Sequence, residues 1–185
     1  MIRYWDISVL EAARLRIAKV FDEFENIFVS VSSGKDSTVL YHLCLEEAQK
    51  RGRKIKLFFL DQEAEYEGTV QIMREMMKHP LVEPYWFQVP IRMTNATSYD
   101  QPFLYAWGPG EEWLRPKEEI AIKEIKEDYP KRFYDFFDWF EQQQTEKTAF
   151  FIGLRSKESM NRFRAVTKNP GYDGIPWSTK TKNEK

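Results

Sequence analysis

Residues 32–38, with the sequence Ser-Ser-Gly-Lys-Asp-Ser-Thr, constrain the fold of this chain more than any other segment. The run before them, residues 27–31, is β-branched and aromatic, which is typical of a buried strand. After them, apolar residues recur at helical spacing at Val39, Leu40, Leu43, Cys44 and Ala48. A strand that enters a helix through a small polar turn directs free backbone N–H groups and the positive end of the helix dipole at that turn. The sequence therefore predicts a phosphate-binding loop.

The side chains of this loop suit an anion. Gly34 lets the main chain approach a ligand closely, and Lys35 adds a full positive charge. Neutral hydroxyl donors come from Ser32, Ser33, Ser37 and Thr38. The alternative is a plain strand-to-helix turn that is capped by Ser32 or Asp36, with Lys35 in solvent.

The loop differs from a Walker A motif, because that motif needs glycine where this chain has Val29 and a hydroxyl residue where it has Asp36. It resembles the PP-loop, S-G-G-x-D-S, of the superfamily of ATP pyrophosphatases and phosphoadenosine phosphosulfate (PAPS) reductases. Ser33 stands where the PP-loop usually has its second glycine. Either a positive φ is not needed at this position or the loop is distorted, since serine costs little only if φ stays negative.

Composition limits the classes of protein and site that fit this chain. Its 185 residues are 42% hydrophobic, which favours one domain, and its net charge of −1 argues against a nucleic-acid or anionic-membrane surface. One cysteine and two separated histidines cannot build a zinc or iron–sulfur site within the chain. No signal peptide or membrane span is evident, so we expect a cytoplasmic protein that does not act at a membrane.

The order of predicted elements indicates the fold class. A capping box at residues 8–11 starts a first helix, and strands are predicted at 27–31, 55–60, 85–89 and 148–154. Further helices are predicted at 39–48, 70–77, 117–127 and 130–143. This β-α-β order favours a Rossmann-like three-layer α/β/α fold with a mainly parallel sheet.

Two aromatic segments interrupt or accompany this pattern. The irregular loop at about 92–116 is rich in tyrosine and tryptophan, and it is either a substrate lid or ordinary loop packing. The second segment is an apolar stripe in the last predicted helix, which fits core or a partner interface better than a cofactor site. Its members are Phe133, Phe136, Phe137 and Phe140.

A second charged motif follows the strand predicted at 148–154. Arg155 and Arg162 could each bind a phosphate or sulfate with a forked guanidinium, and Glu158 could orient one of them. Open α/β sheets bind ligands at the carboxyl ends of their strands, which is where this motif begins. The alternative is a surface Arg–Glu pair at the start of a helix.

Together with the PP-loop, this motif resembles the G-x-R-x-x-E-S-x-x-R segment of PAPS reductase-like proteins, and the resemblance spans about residues 7–166. The likeness is closest to a bacterial and prophage branch that includes regulators of immunoglobulin-binding protein expression. It implies a nucleotide-binding domain at 1–167 and a polar tail at 168–185. Members of the branch are longer, so we expect a shortened relative or an N-terminal portion. The open edge beside its fourth strand would suit a protein partner or a second copy.

The resemblance also implies the ligand and the site. It implies ATP or PAPS as the ligand, Mg²⁺, and adenylyl transfer with pyrophosphate release or sulfonucleotide processing. Lys35 and Arg155 would be catalytic, and Asp36 would be a metal ligand or a helix cap. The nucleotide-binding residues would be Ser32, Ser33, Gly34, Lys35, Asp36, Ser37, Thr38, Asp61, Arg155, Glu158 and Arg162.

The cysteine content argues against reduction of PAPS, the most direct activity that the resemblance implies. The C-terminal cysteine of PAPS reductases is missing, and Cys44 lies at an apolar helix position where we expect it to be buried and inert. A non-catalytic nucleotide-binding regulatory or phage-associated module is therefore the alternative.

Overall fold

Four parallel strands form the main sheet, in the order β3-β2-β1-β6. The strands are β1 (Asn26–Ser30), β2 (Ile55–Leu60), β3 (Val82–Phe87) and β6 (Thr148–Ile152), and β4 (Ile91–Thr94) pairs with β5 (Phe103–Ala106) as a separate antiparallel hairpin. The helices are α1 (Val9–Glu23), α2 (Lys35–Lys50), α3 (Glu67–Met77) and α4 (Phe133–Gln142). The predicted α/β Rossmann-like fold is confirmed.

This computed structural model describes residues 6–125, 128–155, 158–160, 162–164, 171–175 and 177–179. The chain divides into two compact units, Met1–Ile152 and Gly153–Lys185. The second unit contains a short 3₁₀ turn at Tyr172–Gly174. The predicted domain boundary at 167/168 stays a prediction, and much of the predicted tail at 168–185 lies outside the described residues. No helix in the described ranges has the length and apolar composition needed to cross a bilayer.

Alternation along the strands separates two cores, one on each face of the sheet. In β2, Leu57 and Phe59 pack beneath α1, α2 and α3, whereas Phe58 and Leu60 face the opposite side. That second side is covered by α4, the hairpin and the segment that follows it. The result is the three-layer arrangement that places helices on both faces of a parallel sheet.

The phenylalanine stripe of α4 belongs to the second core. Phe136 and Phe140 are buried, and Phe140 makes edge contacts with the rings of Phe28 and Phe87. Phe133 and Phe137 are partly buried against the same cluster. The expectation of a core role is confirmed.

Local signals placed the N-terminal elements well. Ser8 and Glu11 form the predicted reciprocal capping box at the start of α1. The strand predicted at 55–60 matches β2, while β3 begins three residues before its predicted start and β6 ends two residues before its predicted end.

The helix predicted at 117–127 is wrong over its described part, residues 117–125, which contains no helix. The Ile122 N–H donates to the Trp86 carbonyl at 2.7 Å, and the Gln88 N–H donates to the Ile122 carbonyl at 3.0 Å. These bonds attach the segment alongside the end of β3, and pairing with the sheet replaces the intrahelical bonds that the local pattern favoured. The last two predicted positions, 126 and 127, lie outside the described residues.

Candidate functional site

All four strands of the main sheet are parallel, so their carboxyl ends meet at one edge. From β1 the chain proceeds outward to β2 and β3, and then returns to β6 on the other side of β1. The boundary between β1 and β6, where Ser30 is in register with Ile152, is therefore the point at which the strand order reverses. Ligand crevices in open α/β sheets form at this point.

The loop at residues 31–34 leads from β1 into α2 at this edge. Gly34 is the N-cap residue of α2, with φ −69° and ψ 155°, and provides no side-chain cap. The Thr38 N–H makes the first intrahelical bond, to the Gly34 carbonyl at 3.0 Å. The preceding N–H groups, of residues 34–37, thus have no carbonyl partner within the helix, and the helix dipole adds positive potential where they lie.

Ser37 and Ser32 fix the shape of the loop. The buried Ser37 hydroxyl donates to the Gly34 carbonyl at 3.0 Å and accepts from the Ser32 N–H at 3.3 Å. The two serine hydroxyl oxygens lie 3.4 Å apart. These side chains are therefore used inside the loop, and Lys35 is its exposed cationic side chain.

Ser33 has φ 55°, in the left-handed region. Of the two possibilities left by the sequence, the first, that a positive φ is not needed at this position, is therefore wrong. Glycine, which the PP-loop usually has here, reaches that region without steric strain, whereas serine does so at a cost.

Lys35, the first residue of α2, is exposed, as are Ser32 and Gly34, whereas Asp36 and Thr38 are half-buried. Within the described ranges, no group of three or more histidine, cysteine, aspartate or glutamate side chains could hold a metal ion. Asp36 is therefore not part of a preformed acidic cage in that part of the chain.

Asp61, which directly follows β2, is fully buried. Its carboxylate accepts from the Trp86 indole N–H at 2.7 Å, the Gln88 amide at 2.8 Å and the Glu63 backbone N–H at 2.8 Å. Arg115 Nη2 completes the set at 2.6 and 2.7 Å from the two oxygens. Donors of the protein itself thus bind the carboxylate. In this conformation Asp61 therefore connects the end of β2 to the residues that donate to it.

Glu63 fastens the aromatic loop to the same edge. Its carboxylate accepts from the backbone N–H groups of Trp107, at 2.5 Å, and Leu114, at 2.8 Å. The Trp107 indole N–H donates to the Asp61 carbonyl at 3.0 Å. The segment that follows the hairpin is therefore anchored beside the end of β2.

Burial and the neighbouring Asp61 charge raise the pKa of nearby Glu65 above its usual range.

The sequence reasoning missed Glu63 and Arg115 as members of this cluster. Glu63 had a detectable signal, since an acidic residue two positions after Asp61 also follows a buried strand. Arg115 had a weaker one, because its partner lies 54 residues away in the sequence.

The second unit contains the other predicted site residues. Arg155 donates to Glu158 Oε1 through Nε at 2.9 Å and Nη2 at 2.8 Å, and Arg162 also forms an ion pair with Glu158. One carboxylate thus orients two guanidinium groups that are both more than two-fifths exposed. The motif residues at 156, 157 and 161 lie outside the described residues.

Cys44 is buried within α2, and burial raises the pKa of its thiol. A buried neutral thiol is a poor nucleophile, since the thiolate is the reactive form. Its position agrees with the expectation of an inert side chain.

Comparison with known proteins settles the family. The phosphoadenosine phosphosulfate reductase domain matches residues 26–168, from the first residue of β1 past the Arg155–Arg162 motif. The chain belongs to the PAPS reductase domain family. The chain is also similar to the uncharacterized protein YbdN of Escherichia coli strain K12, with 34% identity over 187 aligned positions. The alignment covers 94% of this chain and 46% of YbdN, so the chain spans about half the length of that relative. No solved structure gives a significant match.

Proposed function

We propose that this protein binds an adenine nucleotide, ATP or PAPS, with the phosphates on the loop between β1 and α2. The observation that carries the proposal is the uncapped N-terminus of α2, with exposed Lys35, at the point where the strand order reverses. Membership of the PAPS reductase domain family supports an adenine nucleotide as the ligand over other anions.

The loop residues take distinct roles in this proposal. The backbone amides of residues 34–37 and the Lys35 ammonium bind phosphate oxygens, while Ser32 and Ser37 hold the loop in shape. Ser33 and Thr38 flank the bound phosphates. Asp61 acts as a positioning residue from its buried place at the neighbouring strand end.

In this proposal the affinity for anions is increased by Arg155, Glu158 and Arg162. Guanidinium groups bind phosphate or sulfate through paired N–H donors, and Glu158 already orients both arginines. Their contribution is testable by substitution, independently of the loop.

Mg²⁺ fits the donor set of the loop. This ion keeps several waters and usually needs only one or two carboxylates besides the substrate phosphates. Asp36, in the first turn of α2, is the residue that would hold it. Bound there, the ion would neutralise charge on the phosphates.

The finer proposal is adenylyl transfer. An acceptor oxygen attacks the α-phosphorus of ATP, a new O–P bond forms, the bond from that phosphorus to the bridging oxygen breaks, and pyrophosphate leaves. Lys35 and the loop amides would stabilise charge on the leaving pyrophosphate, and Arg155 would serve as a second catalytic cation. Membership of the prophage-associated branch is part of the same finer proposal.

The second candidate is nucleotide binding without turnover. The buried position and raised pKa of Cys44 favour it over PAPS reduction, because the one cysteine of this sequence is not available as a thiolate nucleophile. A sulfonucleotide would then be a bound signal, not a substrate.

Calorimetry with ATP and PAPS, followed by phosphorus NMR of the mixtures, tests these proposals. Lys35→Ala is compared with Lys50→Ala, which removes a lysine from the opposite end of α2. Pyrophosphate release or sulfite formation that is lost only in Lys35→Ala supports an enzyme. Saturable binding without product supports the non-catalytic module, and absence of binding by the unaltered protein overturns both.

A further inference from the structure

Directly after the aromatic loop, Lys117 places its ammonium against two indole rings. The Lys117 ammonium lies 4.4 Å from the ring centroid of Trp113 and 5.7 Å from that of Trp107. The two indoles meet edge to face, with centroids 5.9 Å apart. We call Trp107, Trp113 and Lys117 the indole–lysine cluster.

Two carboxylates near this cluster, those of Asp61 and Glu63, accept from other donors. Asp61 binds Arg115, and each oxygen of Glu63 accepts a backbone N–H, from Trp107 or Leu114. Among the described residues, no carboxylate forms an ion pair with Lys117. Its ammonium therefore lies against ring faces, and among the described residues the charges of Glu63 and Glu124 act on it without a direct ion pair.

Arg115, next to the cluster, has a guanidinium nitrogen that makes no hydrogen bond in the described part of the chain. Arg115 lies over the same Trp107 ring, at 5.0 Å, and this nitrogen, Nη1, is buried 3.8 Å from the Glu118 carboxylate. Trp107 is fully buried and rigidly held, whereas Trp113 is 38% exposed. The cluster thus offers a cation over a partly exposed indole ring, next to a segment that is anchored to the end of β2.

We propose that the indole–lysine cluster is a binding site for an oxyanion of a ligand, separate from the phosphate loop, with Lys117 as its cation and Trp113 as an apolar platform for the rest of that ligand. Sulfate, phosphate and carboxylate share the required chemistry. An anion would supply the direct ion-pair partner that Lys117 lacks among the described residues, and a half-buried ammonium gains more from such a partner than an exposed one.

The protonation of Lys117 agrees with this geometry. Burial and the Lys123 charge lower the pKa of its ammonium, and the opposing charges of Glu124 and Glu63 do not cancel that effect. A bound anion favours the charged form of a lysine. Oxyanion binding should therefore return the pKa of Lys117 toward the ordinary lysine value.

A local signal separates this site from the phosphate loop. Reductive methylation of the full chain with ¹³C-formaldehyde keeps lysine charges and gives each lysine an NMR signal. Lys117→Arg assigns the signal of Lys117, and Lys117→Gln assigns it if the arginine variant does not fold. Lys131 is the matched control, because its ammonium also lies over an aromatic ring, 3.4 Å from the centroid of Tyr129.

Inorganic sulfate is then titrated with and without saturating ATP. We expect a saturable shift of the Lys117 signal and a rise in its pKa under both conditions. The sulfate concentration at half-saturation should be at least about tenfold below that for any shift of the Lys131 signal. A Lys117 signal that responds no more than Lys131, or whose response ATP abolishes, overturns the inference. The Lys35 signal reports separately on nucleotide binding, so its failure to respond to ATP would contradict the proposed function alone.

Discussion

Arg115 donates through a single guanidinium nitrogen, Nη2, to both carboxylate oxygens of Asp61, at 2.6 and 2.7 Å. Only 12% of the arginine side chain and none of the aspartate side chain is exposed. The pair joins the end of β2 to the aromatic loop, at the same sheet edge as the loop between β1 and α2.

Arg115→Ala should destabilise the protein strongly, because it leaves a buried carboxylate without its counter-charge. Breaking a buried ion pair in this way costs about 3–5 kcal/mol. The control is Arg132→Ala, which removes an exposed partner of Asp135 and should cost less than about 1 kcal/mol. Urea unfolding measures both free energies, and equal losses in the two variants would contradict the role assigned to Arg115.

Ser33→Gly should stabilise the loop between β1 and α2. With φ 55°, Ser33 pays the steric cost of a left-handed conformation that glycine adopts freely. We expect the free energy of unfolding to rise by about 0.5–1 kcal/mol. Ser33→Ala is the matched control, since it removes the hydroxyl but keeps the Cβ atom, and it should give no gain. A gain in the alanine variant would show that the hydroxyl, not the backbone, carries the strain.

Local pattern was sufficient for the sheet and for the turn that leads from β1 into α2. The apolar run at 55–60 and the capping box at Ser8 each specify their element through neighbouring residues, so no distant partner was needed. The polar turn at 32–38 was likewise visible, because a strand and a helix bracket it.

Distant partners decided what the sequence did not show. The segment at 117–125 has a helical pattern, but its backbone bonds to Trp86 and Gln88 attach it to the sheet instead. Asp61 was expected in the nucleotide site, and its burial depends on Arg115, which lies 54 residues further along the chain. Pairings of this kind depend on tertiary packing, which overrides local preference.

Glu141 should make stability depend on pH. Burial, with a smaller effect of the Asp138 charge, raises the pKa of its carboxyl to about 7. The folded state therefore holds a proton that the unfolded state releases near the ordinary glutamate value of 4.5, so stability falls as pH rises from about 4.5 to about 7. Because the side chain is partly exposed, the loss is about 1 kcal/mol after allowance for solvent screening.

Glu141→Gln removes this titration. It should be more stable than the unaltered protein by about 1 kcal/mol at pH 8, and no more stable at pH 4.5. Glu146→Gln, which changes an exposed glutamate just beyond α4, is the matched control variant. Thermal unfolding across this pH range measures the difference, and a constant difference between Glu141→Gln and the unaltered protein would rule out titration of Glu141 as its cause.

Glu63→Gln should loosen the aromatic loop while leaving the sheet intact. The Glu63 carboxylate accepts one backbone N–H on each oxygen, and glutamine offers an acceptor on one side only, so the N–H of Trp107 or Leu114 loses its partner. A buried donor left unpaired costs about 1–3 kcal/mol, which corresponds to faster local opening by about 10- to 100-fold. Hydrogen exchange followed by mass spectrometry should therefore show faster exchange across residues 107–114, with β1 and β2 unchanged. Glu112→Gln, an exposed change in the same loop, should exchange at the original rate. Equal protection in the two variants would mean that the loop is held by its tryptophans and not by the Glu63 carboxylate.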